Sequence, residues 1–349
     1  MLPVETADRR VFTSRVLRAL LLTLLVAATV FLLGWAYDVV LTIFAGAVLG
    51  VFLNGLAAAI SRRSRFTYRS ALGAVVVCLL VLVALSIWFV GPALVNQVDQ
   101  LVMRIPAALA LLAARTSGIP FVHTLADRVP QFGPVAGAAV NVMRVGFEAV
   151  AGVVVALVVG IYGAVDPGAY LRGLLRLVPP TRRERARQVI GRTTSALLRW
   201  LVGQFVLMVI VGTVTSVGLW IAGVPLSFAL GLLAGVMTYV PYLGVILSMV
   251  PALLVALSVS PLKMLWVVVV FAVAHGLEGY VLSPLIAERT VKFPPAFTIA
   301  VQILLGAIWG VLGFAFATPI AVVATMLVQT LYVEDVLGDV PVSARGVEH

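Results

Sequence analysis

The chain has 349 residues, of which 62% are hydrophobic and 11% are charged, and its net charge is +10. Soluble domains are about 45–50% apolar and about 25% charged, so this composition excludes an ordinary soluble fold. Several apolar runs reach the length of about 20 residues that a helix needs to cross a membrane. The composition therefore predicts an all-α, polytopic membrane protein.

Basic residues are concentrated in segments that would lie on one side of the membrane. If both termini are cytoplasmic, 19 of the 24 Lys and Arg residues face the cytoplasm. This asymmetry follows the positive-inside rule, which sets the orientation of membrane proteins. Orientation thus explains the basic charge, and the sequence predicts cytoplasmic termini and no nucleic-acid partner.

The first part of the chain is predicted to contain four membrane helices and one extramembrane insert. Residues 1–91 form the N-terminal membrane helices, after which charged side chains interrupt the apolar pattern. From Leu94 and Val98 onward, apolar residues recur at three- and four-residue steps, which is typical of an amphipathic helix. We therefore predict an external helical insert at 92–147. The four spans are placed at 17–37, 39–60, 70–91 and 148–166.

Residues 148–199 are predicted to contain the fourth span and a basic amphipathic helix on the cytoplasmic side. Eight arginines lie between positions 172 and 199, where they would face the anionic inner leaflet. Thr181 and Glu184 have the spacing of a capping box, which predicts the start of this helix. The helix is interpreted either as a solvated linker or as a lipid-sensing element.

Two segments of the C-terminal half share one pattern of proline and glycine. Each begins at a proline, carries a Gly-x-x-x-Gly motif, then has a glycine-containing break and a second proline. The legs between these breaks are about 15 residues long, which is short for a full span but suits a hairpin that dips into the bilayer. The positions are Pro225, Gly231, Gly235, Pro241–Gly244 and Pro251 in the first segment, and Pro295, Gly306, Gly310–Gly313 and Pro319 in the second.

These segments predict an inverted repeat. With spans at 200–222 and 263–284, two re-entrant hairpins would enter the membrane from opposite sides. Interrupted helices at corresponding positions of two halves indicate the binding site of a transporter. Residues 200–335 are therefore predicted to be a transport core, followed by a cytoplasmic tail at 336–349. The alternative is four ordinary short helices kinked by proline.

His275 and Glu278 lie within the apolar run "WVVVVFAVAHGLEGYVL". Three residues apart, they share one face of a helix. An ionised carboxylate in hydrocarbon costs at least a few kcal/mol, so such residues usually face a cavity or a partner. The pair is interpreted as a proton or cation coupling site, with Glu278 as the coupling group and His275 tuning it. The alternative is a structural hydrogen bond from Glu278 and a packing role for His275.

Other polar and small residues beside the predicted breaks are candidates for lining a pathway. No nucleotide-binding loop, zinc-protease motif or nucleophile elbow occurs in the sequence, so we predict neither an enzyme nor a cofactor or metal. The single cysteine, Cys78, allows no disulfide within the chain. The pathway candidates are Gln204, Tyr239, Pro241, Tyr242, Gly244, Gln302, Gly310 and Gly313.

The C-terminal half resembles the autoinducer-2 exporter family of bacterial membrane proteins. The Gly203–Gln204 pair, the "GVP" turn, the "PYLG" break and the run "LEGYVLSP" recur at the spacing of that family. The resemblance extends more loosely over the first 200 residues. It implies about eight membrane segments and secondary transport. Some members are associated with export of autoinducer-2, and others with exchange of sodium or lithium for protons.

The resemblance and the residues together predict a secondary transporter of the bacterial inner membrane. It would export a small solute, such as an autoinducer-2-like signal or a related metabolite, coupled to proton or cation movement through Glu278. The alternatives are a sodium or lithium/proton antiporter and a non-transporting oligomeric scaffold or passive channel. The predicted partners are the small-molecule or monovalent-cation substrate, membrane lipids and further copies of the chain, for example in a pentameric ring.

Overall fold

The computed structural model describes residues 36–81, 154–257, 259–282 and 293–338, with positions 84, 85, 88 and 152 between them. Nearly all of the predicted first span, the external insert at 92–147 and most of the C-terminal tail lie outside the described residues. Every regular element within the described part is helical, which confirms the predicted all-α fold.

Nine α-helices make up the described part of the chain. Two π-helical segments, Glu278–Leu282 and Val328–Glu334, continue the last two of them. The helices are α1 (Tyr37–Arg63), α2 (Tyr68–Val81), α3 (Val154–Val165), α4 (Pro167–Arg176), α5 (Arg183–Ile221), α6 (Ser227–Met237), α7 (Leu243–Leu257), α8 (Pro261–Leu277) and α9 (Pro295–Leu327). By length and composition, four of these stretches could cross a membrane, and a fifth is obtained if α3 and α4, which meet at 87°, form one broken span.

α5 is one continuous helix of 39 residues. It joins the predicted basic helix to the predicted span at 200–222 without a break. The capping box predicted at Thr181 and Glu184 is wrong: Arg182 occupies the N-cap position, no side chain caps the helix, and a 3₁₀ turn, Pro180–Arg182, precedes it. Pro179 and Pro180 fix the backbone φ angles where the chain enters this turn, so the turn starts without a side-chain cap.

The polar end of α5 is tied to the C-terminal end of α9 by four charged residues, which we call the α5 clamp. Arg185 pairs with Asp335 at 2.6 Å and with Glu334 at 3.1 Å. Arg192 pairs with Glu334 at 2.8 Å. Arg185 also donates to the carbonyl of Thr330 in the second π segment. A shared network of this kind holds its geometry better than isolated surface pairs do.

α6 and α7 form a helical hairpin, hairpin 1 (residues 227–257). A Cβ placed on Gly244 would lie 1.8 Å from the carbonyl oxygen of Met237, seven positions earlier. In an uninterrupted helix those residues would be about 10 Å apart along the axis. The chain therefore reverses between α6 and α7.

α9 is also a hairpin, hairpin 2 (residues 295–327). Its backbone leaves the helical region at Gly310, where φ is 63° and ψ is −146°. A Cβ on Gly306 would lie 3.5 Å from that of Phe314, although eight helical residues span about 12 Å. The two halves of α9 thus pack on each other. Both segments are hairpins, as the repeated pattern predicts, and their re-entry from opposite membrane faces stays a prediction.

Three apolar clusters hold these elements together. One joins α1, α2 and α3 through Leu53, Leu72 and Ala164. A second joins α1, α5 and the second half of hairpin 2 through Val48, Trp200 and Val322. The third packs hairpin 1 against α5 and α8, and its members include Leu219, Leu230, Ala252, Val267 and Phe271. Hairpin 1 therefore packs against two helices, α5 and α8.

Candidate functional site

The break in hairpin 1, residues 238–242, is held by two buried amide side chains. Gln204 of α5 donates from Nε2 to the carbonyl of Thr238, and Gln302 of hairpin 2 donates to the carbonyl of Pro241 at 3.2 Å. Gln302 is fully buried and Gln204 nearly so. Non-helical backbone in a membrane needs such partners, because no water is present to bond its carbonyls. The two glutamines therefore join α5 and both hairpins at one point.

Two further predicted residues lie in the same break, and a third lies at the start of α7. Tyr239 packs edge-on against Trp200 of α5, with ring centroids 5.9 Å apart. Tyr242 has a φ of 66°, in the left-handed region that non-glycine residues rarely adopt. Gly244 follows it and touches the end of α6. The structure therefore brings together Gln204, Tyr239, Pro241, Tyr242, Gly244 and Gln302.

Gln302→Leu is expected to destabilise the protein by about 1–3 kcal/mol, because it removes a buried hydrogen bond from the Pro241 carbonyl. Gln302→Glu keeps the size of the side chain and an oxygen acceptor but removes the amide donor. It is expected to destabilise at least as much, since a carboxylate faces a carbonyl oxygen. Denaturation of the purified protein followed by tryptophan fluorescence would measure both effects. Stability equal to wild type in both variants would exclude a bracing role for this amide.

The other two predicted break residues lie in hairpin 2. Gly310 forms its turn, and nothing lies within 4 Å of where its Cβ would be, among the described residues. Gly313 begins the returning half and is pressed against the carbonyl of Leu305. Both belong to the turn of hairpin 2, and the recorded hydrogen bond between the two hairpins comes from Gln302 instead.

His275 and Glu278 form a hydrogen-bonded pair at the end of α8. His275 Nδ1 lies 2.7 Å from Glu278 Oε2, and their side chains are 14% and 20% exposed. The His275 ring packs 5.9 Å from that of Phe271. Its other nitrogen, Nε2, is buried without a hydrogen-bond partner among the described residues. Glu278 also starts the first π segment, and π turns are frequent at functional sites.

The pair lies beside α5, near the level of the break. α8 runs antiparallel to α5, since Lys263 donates to the carbonyls of Ala222 and Gly223 and Val270 touches Gly218. Both helices rise by ~1.5 Å per residue. Counting along α5 and α8 from these contacts, Glu278 lies roughly 5–10 Å from Gln204 along the axis of α5. The π segment contacts α5 directly. The recorded hydrogen bond of Glu278 is nevertheless to His275, and no recorded bond joins the pair to the break within the described residues.

A cavity of about 310 Å³ lies next to the break. Tyr239 of hairpin 1 and Phe316 of hairpin 2 both line it, together with residues of α1, α2, α3 and α5. Phe316 and Phe205 were not predicted as site residues. An apolar residue in an apolar helix carries no signal in the sequence that it lines a cavity, so only the packing of separate elements could identify them.

The fold and these polar groups define a multi-pass helical membrane protein with paired broken helices. The chain belongs to the AI-2E family of transporters, because the model of that family, described as AI-2E family transporter, matches residues 20–332. This match confirms the predicted family, whose model is described as a transporter family.

Three curated relatives are also named as transport proteins. YrrI of Bacillus subtilis (strain 168), provisionally named a transport protein, is 31% identical over 156 residues, which are 44% of this chain and 44% of YrrI. YueF of the same organism is 29% identical over 146 residues, 42% of this chain and 40% of YueF. A Thermotoga maritima protein with a similar provisional name is 31% identical over 141 residues, 40% of this chain and 44% of that protein. The matched stretch thus spans less than half of each relative.

Proposed function

We propose that this protein is a secondary transporter that exports a small solute, with Glu278 coupling the export to movement of protons. The observation that carries the proposal is the His275–Glu278 pair, hydrogen-bonded and largely buried at the end of a helix that is otherwise apolar beyond Lys263 in its first turn. Ionisable residues at such positions in membrane helices are uncommon and mark ion and proton pathways. The protein would lie in the bacterial inner membrane with both termini in the cytoplasm, as the arginine distribution indicates.

The geometry of the pair suits transfer of a proton. A protonated Glu278 donates to His275 Nδ1, whereas an ionised Glu278 accepts from a protonated Nδ1. When the proton passes to Nδ1, the ring can release another from Nε2, which has no protein partner in the described part of the chain. The pair can therefore carry a proton between Glu278 and a group or water beside Nε2.

The two hairpins are the part of the protein whose position such a proton transfer could change. Breaks in transporter helices line the substrate site, and one repeat rocks against the other around it. Here Gln204 and Gln302 link the break of hairpin 1 to α5 and to hairpin 2. A charge change at Glu278, on the helix that packs against both α5 and hairpin 1, would alter the balance between two arrangements of these elements.

A sodium or lithium/proton antiporter is the second candidate. Backbone carbonyls at a helix break can coordinate a monovalent cation, and the break of hairpin 1 offers several. In the described residues, no group of three or more His, Cys, Asp or Glu side chains converges, so the cation would depend on Glu278 and carbonyls. A non-transporting oligomeric scaffold is the third, and it would need no titratable pair. The assembly of several copies stays a prediction.

Glu278→Gln is expected to abolish solute-dependent dissipation of a pH gradient in proteoliposomes. Glutamine keeps the shape and a hydrogen bond to His275 but cannot bind or release a proton at neutral pH. The gradient would be followed with a pH-sensitive dye on addition of sodium, lithium or an autoinducer-type furanone. The solute that gives a signal with wild type names the cargo, so a response to sodium or lithium alone selects the antiporter.

Glu184→Gln provides the matched control, since it makes the same change at an exposed carboxylate at the start of α5. It should transport like wild type. Equal signals from wild type and Glu278→Gln would refute coupling through Glu278. A folded wild type that responds to none of the solutes would favour the scaffold.

A further inference from the structure

The 310 Å³ cavity is built from elements that are distant in the sequence. α1 contributes Val48 and Phe52, α5 contributes Phe205 and Met208, and the two hairpins contribute Tyr239 and Phe316. Its volume is at the lower end of the range for small-molecule sites. Because both hairpins and α5 form its wall, a molecule inside it would contact every element that the buried glutamines link.

The chemistry of the wall is almost wholly apolar. The named lining side chains are aliphatic, aromatic or thioether, and the tyrosine hydroxyl of Tyr239 is the polar group among them. That hydroxyl has no recorded hydrogen bond within the described residues, while Trp200 fixes the ring at an edge-on contact. A buried tyrosine usually finds a partner for its hydroxyl. In its described part the wall therefore offers one hydroxyl, that of Tyr239, among apolar side chains.

We propose that this cavity binds a small, uncharged and largely apolar molecule that carries one hydrogen-bonding group facing Tyr239. It would be the cargo, so this inference rests on the proposed transport function and names its substrate class. Among the described residues that line the wall none is charged, so the desolvation of a charged ligand would not be repaid there. The rings of Phe52, Phe205 and Phe316 all line the cavity, and such a wall suits a flat or ring-shaped molecule.

A second, larger groove has a wall of different origin. It measures about 860 Å³ and lies along α5 and α6, with Thr213, Trp220 and Phe228 in its wall. Trp220 and Phe228 are well exposed. This groove involves one helix pair and contains neither hairpin 2 nor the break. Labelling in this groove therefore serves as an internal control for non-specific partition of an apolar probe onto an apolar surface.

The test uses two photoactivatable probes on the full chain in proteoliposomes, without any ion gradient. One is an aryl-trifluoromethyl-diazirine benzyl alcohol, which is neutral, and the other is the corresponding benzoic acid, which is ionised. Peptide mapping would locate the labels. We expect saturable labelling by the alcohol near Val48, Phe52 and Tyr239, which line the cavity but not the α5–α6 groove, and labelling at least tenfold weaker by the acid.

Three variants sharpen the result. Ala45→Phe places a ring inside the cavity and is expected to reduce labelling there at least tenfold. Tyr239→Phe removes only the hydroxyl, and the half-saturating concentration should rise roughly 3–10-fold for the loss of one hydrogen bond. Ala229→Phe makes the matched change in the wall of the α5–α6 groove and should leave labelling of the cavity unchanged.

Labelling that does not saturate, or that Ala45→Phe leaves unchanged, would overturn the proposal in favour of lipid-like partition. Equal labelling by the acid would overturn the substrate class. The outcome is separable from the transport test. Saturable cavity labelling with no effect of Glu278→Gln on the pH gradient would refute the coupling and keep the site. Coupled transport without cavity labelling would refute the site and keep the coupling.

Discussion

Gly231→Ala is expected to destabilise the protein by about 1–3 kcal/mol, the usual effect of overpacking a close contact. A Cβ on Gly231 would lie 2.5 Å from the backbone nitrogen of Ser216 in α5. Backbone cannot move aside as a flexible side chain can, so α6 would have to separate from α5. Small residues at such interfaces let membrane helices approach closely, where packing rather than hydrophobicity drives association. Reversible denaturation followed by tryptophan fluorescence would measure the loss.

Gly191→Ala supplies the matched control for this change. Gly191 is exposed on α5, and nothing described lies within 4 Å of where its Cβ would be. Alanine is favoured over glycine in a helix interior by about 0.5–1 kcal/mol, so this variant should be slightly more stable than wild type. A destabilisation of similar size in both variants would show that the tight α5–α6 contact has no special role.

Gly310→Ala and Tyr242→Gly are expected to change stability in opposite directions. Gly310 has φ 63° and ψ −146°, a backbone conformation that only glycine adopts readily, so alanine should cost about 1–3 kcal/mol. Tyr242 has φ 66° and is 47% exposed. Glycine there should relieve about 1–2 kcal/mol of left-handed strain, partly offset by about 0.5–1 kcal/mol of extra chain entropy.

The two variants also probe what the breaks do. Strain held at a functional turn is often part of a mechanism, so Tyr242→Gly should stabilise the fold while slowing or uncoupling transport. Thermal denaturation and the pH-gradient assay on the same preparation would show both. If Gly310→Ala is as stable as wild type, the chain reversal in hairpin 2 does not depend on this conformation.

The hairpins could be predicted because their signal is local. Proline and glycine disturb a helical backbone by their own chemistry, and the structure has its breaks beside Pro241 and at Gly310, within the predicted break segments. The later prolines, Pro251 and Pro319, lie inside α7 and α9. The different uses of the two Gly-x-x-x-Gly motifs could not be predicted. Gly231 and Gly235 contact α5, whereas Gly310 forms a turn, and this difference arises from which element lies opposite each glycine.

The residues of the candidate site can be selected from the sequence one by one, but their arrangement cannot. Polar side chains in apolar runs are conspicuous, so Gln204, Gln302 and the His275–Glu278 pair stand out in the sequence. Spacing along one helix also predicts that His275 and Glu278 share a face, and they are hydrogen-bonded. That two glutamines almost 100 positions apart would brace one break depends on tertiary packing. The same holds for the wall of the apolar cavity.

α5 is much longer than the hydrocarbon core of a membrane is thick. At about 1.5 Å per residue its 39 residues extend roughly 58 Å, nearly twice the ~30 Å thickness of the hydrocarbon core. The N-terminal end of α5 forms the ion pairs of the α5 clamp. At its C-terminal end, Lys263 of α8 donates to the carbonyl of Gly223 in the turn after the helix. The tight contact with α6 lies between these ends. One continuous helix thus joins the arginine-rich end of α5 to Gln204, which holds the break of hairpin 1.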